Sequence, residues 1–179
     1  MFKLPSDFDM NEYFVLITMI SLLILVIKVP KLMPRLMSLS IFLYFSVLGL
    51  TADVLIGVDY PFDFYQIMDS PKLEIFDVFI YGVNYPIYGY FFSYIIYKWN
   101  TRRVIVILII CWSGITTFIE WVSVKFHVFT YQNGWNIGFS AMAYLVVYTF
   151  SAFVILYFIH CWKTSDKKNQ IKHPTTQQT

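Results

Sequence analysis

Residues 104–124 read VIVILIICWSGITTFIEWVSV, with Arg102 and Arg103 before them and Lys125 after. A helix crossing the ~30 Å hydrocarbon layer of a bilayer needs about 20 mostly apolar residues, and this run carries a single charge, Glu120. Four more runs of the same kind lie outward from it, at 13–29, 36–58, 75–97 and 135–162. Pro30, Pro34, Pro61, Pro71 and Gly134 stand between them, where helix stops are expected. Backbone amides cannot stay unpaired in lipid, and the runs lack the period-2 alternation of a barrel, so each is predicted to be helical.

The expected fold is therefore an all-α integral membrane bundle of five transmembrane helices within residues 1–163, with a polar, disordered cytoplasmic tail over 164–179. Composition agrees: 58% of the 179 residues are hydrophobic, 21% aromatic and 13% charged, more apolar surface than a small soluble core can hide. The lipid bilayer is the first expected partner. A net charge of +2 is too small to point to nucleic acid. There is no Gly-rich phosphate loop or zinc-type cysteine spacing, and no cofactor is expected. Cys111 and Cys161 read as packing residues rather than a disulfide. Asp7, Asp9 and Glu12 stand where a signal peptide would carry positive charge, so the first helix is expected to remain in the mature protein.

Lys and Arg in short loops resist translocation and so set orientation. Of the 13 in the chain, Lys28, Lys31, Arg35, Lys98, Arg102, Arg103, Lys163, Lys167, Lys168 and Lys172 fall on one side, and only Lys3, Lys72 and Lys125 on the other. The first side is expected to be cytoplasmic, which places the N-terminus outside and the C-terminus inside. Of the acids, only Asp166 lies on the inner side.

An acid inside a span is costly, so Asp53, Asp77 and Glu120 need a reason. Counted at 1.5 Å per residue from the outer helix ends, all three lie in one layer of the outer half. Polar residues extend each position along a helical face. The fourth span adds Ser113, Thr116, Thr117 and Ser123, and the third adds Tyr81, Asn84, Tyr85 and Tyr88. The fifth adds Asn136, Ser140, Tyr144, Tyr148 and Ser151. Pro86 removes the amide that would reach the Gly82 carbonyl and is expected to kink the third span. Gly49 and Gly57 flank Asp53 and are expected to admit a close neighbour.

Three readings fit. The layer is a pocket for a cation or small polar solute, under-neutralised because only Lys125 lies near its depth; its candidate residues are Asp53, Asp77, Tyr81, Asn84, Glu120, Trp121, Asn136, Ser140 and Tyr144. Alternatively it is interhelical hydrogen-bond glue, as in a structural or sensory subunit of a membrane complex. Least favoured is a membrane-embedded enzyme, for which Glu120, His127 and Asp53 form a weak metal set. Trp99, Trp112, Trp121, Trp135 and Trp162 mostly mark membrane interfaces, with Trp121 beside Glu120 the one that suggests a site.

Asp53 in a D-x-x-x-G context, Tyr85-Pro86, Glu120-Trp121, Tyr131, Trp135, Ser140 and Tyr144 together resemble an uncharacterised family of small multi-pass membrane proteins from endospore-forming Bacillota. That resemblance spans roughly residues 53–148 and implies a five-helix fold in a bacterial cell or spore membrane, with no established activity. Transport by so small a bundle would call for a homo-oligomer or a partner membrane protein.

Overall fold

The computed structural model describes residues 8–57, 62–68 and 75–172. Lys3, Asp7, Pro61, Pro71, Lys72 and the end of the tail from residue 173 lie outside them.

Helix α1 spans Met10–Lys28 and opens with a capping box: Asp9 accepts from the Asn11 amide at 3.1 Å, and Glu12 accepts from the Asp9 amide at 2.9 Å. The acid at the mouth of the first apolar run therefore serves to start the helix. Pro30 and Pro34 separate α1 from α2, Arg35–Ala52, which runs on as a π-helical turn over Asp53–Gly57. The third apolar run is built in three pieces: α3 at Ile75–Phe79, a π-helical turn at Ile80–Asn84, and α4 at Tyr85–Lys98. Pro86 accounts for this break. It sits in the first turn of α4, where its missing amide costs nothing, and the wide turn before it sends the Tyr85 amide back to the Ile80 carbonyl. The disturbance expected at Pro86 takes the form of a π-turn, a feature common at functional sites.

Helix α5 covers Arg102–Lys125 and α6 covers Ile137–Lys172. The backbone of α6 stays helical past residue 163, into the stretch expected to be disordered. Among the described residues, four helices are long and apolar enough to cross a membrane: Met10–Lys28, Arg35–Gly57, Arg102–Lys125 and the first part of α6. The broken helical run over residues 75–98 is the fifth of comparable length.

One element is new relative to the sequence reading. Strand β1, Tyr65–Ile67, pairs antiparallel with β2, Phe129–Tyr131, in the register Tyr65 with Tyr131, Gln66 with Thr130 and Ile67 with Phe129. This ribbon lies across the end of the bundle where α2 stops and α6 begins. A turn at Asn133-Gly134, both with positive φ, carries the chain onward to α6.

The packing separates into two clusters. Met37, Ile41, Phe45, Phe92, Ile96, Leu108, Tyr148 and Ile155 fill the space between α2, α4, α5 and α6. Val15, Ile67, Met68, Phe76, Ile80 and Val128 pack α1 and α3 under the ribbon. The outer faces are apolar as well: Ile107, Ile110, Val146 and Phe153 are at least 60% exposed, whereas Ser93, Ser113, Ser123, Ser140 and Ser151 are buried.

Candidate functional site

The α2 and α4 pair meets the α5 and α6 pair around a cavity of about 150 Å³. Two carboxylates reach it from helices far apart in the chain, Asp53 from the end of α2 and Glu120 from the last turns of α5. Both are buried. Asp53 accepts from the Tyr65 hydroxyl at 2.5 Å and the Tyr85 hydroxyl at 3.3 Å, and Tyr81 also bonds to it. Glu120 accepts from the Tyr131 and Ser140 hydroxyls, each at 2.6 Å, and from Tyr144. Ser140 is in turn fixed by the Trp135 indole N–H, which donates to it at 2.9 Å. Bonds of this kind to an ionised acceptor are roughly twice as strong as neutral ones.

The ribbon ties the two acids together. Tyr65 and Tyr131 are direct cross-strand partners, so their side chains share a face of the ribbon about 5 Å apart, and each bonds to a different carboxylate. The glycines flanking Asp53 make the approach possible. A Cβ at Gly57 would come within 2.6 Å of the Tyr65 ring, and one at Gly49 would overlap the Tyr85 ring. The glycines four residues before and after Asp53 therefore seat the two tyrosines that bond to it. Beneath the acids, the Tyr88 and Tyr148 hydroxyls both meet Thr116 Oγ1, at 3.1 and 3.0 Å, and form the polar floor.

Of the residues chosen from sequence, Asp53, Glu120, Ser140 and Tyr144 line the cavity, and Tyr81 reaches it through Asp53. The others do not gather there. Asp77 is buried on α3, outside the cavity lining but near enough to Asp53 and Tyr81 to interact with both electrostatically. Asn84 donates to Thr18 Oγ1 at 3.4 Å and so joins the third run to α1. Trp121 points outward, 49% exposed and stacked on Phe118. Asn136 accepts from the Gly138 amide at 2.9 Å and shapes the start of α6. His127 sits at positive φ in the turn after α5, exposed and facing a separate surface depression beside Asp9 and Thr130. The metal set of Glu120, His127 and Asp53 is therefore not assembled. Among the described residues no group of three or more His, Cys, Asp or Glu side chains could hold a metal ion. Depth and helical spacing place a residue along a span but not around it, which is why Trp121, next to Glu120 in sequence, faces the other way.

Tyr65 is not among the residues expected from sequence, because it lies between two apolar runs on a strand of three residues. The local signal is short: YQI and FTY each alternate, with Tyr65, Ile67, Phe129 and Tyr131 on one face and Gln66 and Thr130 on the other. No family model, curated protein or solved structure matches this chain.

Burial first, then the nearby Asp53 carboxylate, raise the Tyr65 hydroxyl above its ordinary value. Burial and the bond to Glu120 raise Tyr131 likewise. Both phenols stay protonated donors at neutral pH. A raised folded-state pKa contributes stability that is whole below the unfolded value of about 10 and is lost as pH climbs above it. Thermal stability is expected to be insensitive to these groups from pH 7 to about 10 and to fall above that, with a shallower fall in Tyr65→Phe. At neutral pH the same substitution should cost about 1.5–3 kcal/mol, the range for a hydrogen bond to a charged group. Equal alkaline slopes for the two proteins would remove Tyr65 from the latch.

Proposed function

We propose that this chain is a five-span membrane protein, with its N-terminus outside and its C-terminus in the cytoplasm, whose outer cavity binds a small cation or cationic polar solute. The observation that carries the binding reading is the pairing of Asp53 and Glu120 in one cavity, where the described residues give them hydroxyl donors but no Lys or Arg. Two negative charges in a partly dry site create a field that only a cation or a proton can offset. Support for the membrane comes from the inverted distribution of polarity, with large aliphatic and aromatic side chains outward and serines inward. In water such a surface would aggregate, while in lipid it is the expected solvent-facing side. The cell or spore membrane of a bacterium is the location that the family resemblance favours.

The orientation is tested by fusing a reporter active only in the cytoplasm. Activity is expected after Thr179 and within residues 98–103, and none within residues 59–74. Activity from the last of these would invert the topology. Binding is tested on purified protein in mild detergent, by thermal unfolding with and without added cations over pH 5 to 8. Glu120→Gln preserves shape and hydrogen-bonding capacity while deleting a charge, so it should fold and lose most of the cation-dependent stabilisation. A protein that serves only as a structural or sensory subunit would show no cation response in either form, and that result would overturn the binding reading.

A further inference from the structure

The geometry points to an organic ammonium ion, of roughly the size of tetramethylammonium or choline, as the class of cation that the Asp53 and Glu120 cavity takes. This rests on the cation-binding reading and narrows it.

The first reason is that every carboxylate oxygen already accepts a hydroxyl. Asp53 Oδ1 and Oδ2 receive Tyr65 and Tyr85, while Glu120 Oε1 receives Tyr131 and Ser140 and Oε2 receives Tyr144. A hard cation such as Ca²⁺ or Mg²⁺ needs six or more oxygen ligands at about 2.0–2.6 Å, and two carboxylates held in place by hydroxyls supply too few of them. An alkylated ammonium spreads its charge over its methyl groups and makes no such demand. It needs a negative field and a surface it can touch.

The second reason is the wall. Tyr65, Tyr85, Tyr88, Phe129, Trp135 and Tyr144 all line the cavity, and aromatic faces attract a cation placed within about 6 Å of the ring centre, most strongly when it is desolvated. The hydroxyls of Tyr65, Tyr85 and Tyr144 donate to the carboxylates, and that of Tyr88 meets Thr116. These hydroxyls are thus directed to protein partners, and the lining offers ring surface instead. Donation to a carboxylate also leaves a phenol ring more electron-rich, which strengthens its pull on a cation.

The third reason is size. A cavity of about 150 Å³ accepts a molecule of about benzene's dimensions, which suits a compact ammonium. The half-exposed lining residues Leu48, Ala52 and Ile56 of α2 face Ala143 and Val147 of α6 across the seam between these helices.

The test is isothermal titration of the full-length protein in detergent with tetramethylammonium, sodium, potassium, magnesium and calcium as separate chlorides. Tetramethylammonium is expected to bind and the inorganic ions to bind at least tenfold more weakly. Trp135→Leu and Phe129→Leu, on the half-buried outer wall, should each weaken tetramethylammonium about threefold to thirtyfold, while Phe129→Tyr keeps it. Circular dichroism checks that each variant folds. If an inorganic cation binds and tetramethylammonium does not, the ammonium assignment falls while the cation site stands. If nothing binds, both fall. If tetramethylammonium binds but the leucine variants bind it equally well, the aromatic wall is not what recognises it and the assignment is overturned.

Discussion

Glu120→Ala is expected to unfold several kcal/mol more easily than the parent protein, whereas Glu120→Gln stays within about 1 kcal/mol of it. The difference lies in what each substitution does to the donors. Three hydroxyls converge on Glu120, from Tyr131, Ser140 and Tyr144. Removing the carboxylate strands them, and each buried donor left unpaired costs about 1–3 kcal/mol. Tyr131 lies at the rim and can turn to water, so Ser140 and Tyr144 carry most of the loss, about 2–5 kcal/mol together. A cavity the size of the lost side chain adds to it. Glutamine keeps an acceptor oxygen, and its amide can donate to a hydroxyl that reverses its role. Losing the buried charge itself is favourable and offsets part of any misfit. Thermal unfolding of the three proteins in one detergent gives the order directly. Were Glu120 an acid that merely reaches up to interfacial water, alanine would be as stable as the parent.

The sequence was most informative where the physics is one-dimensional. A span needs length and apolarity, and both are properties of a consecutive run. The five expected runs accordingly lie within a few residues of the helical runs observed, from α1 at Met10–Lys28 to the start of α6 at Ile137. The depth of Asp53 and Glu120 along their helices was readable in the same way. Azimuth was not: Trp121 and Asn136 satisfied depth and spacing but face away from the cavity, because no rule of periodicity says which side of a uniformly apolar helix is inward. The ribbon was also hidden. Strands of three residues give too short an alternation to stand out from a loop, and the pairing of Tyr65 with Tyr131 joins segments far apart in the chain. Pro86 marks the break in the third run, and the break takes the form of a π-turn because the Tyr85 amide has the Ile80 carbonyl within reach.

Gly49 and Gly57 lead to the second large expected effect, because both lie one helical turn from Asp53 and each seats a tyrosine that bonds to it. Gly49→Ala should be the more damaging. Its new Cβ would overlap the Tyr85 ring near its root, and that ring leaves α4 one residue before Pro86, where the backbone has little freedom. Overpacking of this kind costs about 1–3 kcal/mol, and displacing the Tyr85 hydroxyl from Asp53 adds part of a charge-assisted bond. At Gly57 the obstructed atoms are Cε2 and Cζ, 2.6 and 2.9 Å from the new methyl. These lie at the far end of the Tyr65 side chain, which swings aside at small steric cost. The price of that swing is the 2.5 Å bond to Asp53, so Gly57→Ala should lower stability less than Gly49→Ala while reproducing the shallower alkaline slope of Tyr65→Phe. Combined with Asp53→Asn, Gly57→Ala should then cost clearly less than it does alone, since the bond it breaks is already weakened. Thermal unfolding of the four proteins that make up this cycle measures the coupling. Strict additivity between Gly57→Ala and Asp53→Asn would mean that the glycine serves packing alone and that the latch on Asp53 is not built through it.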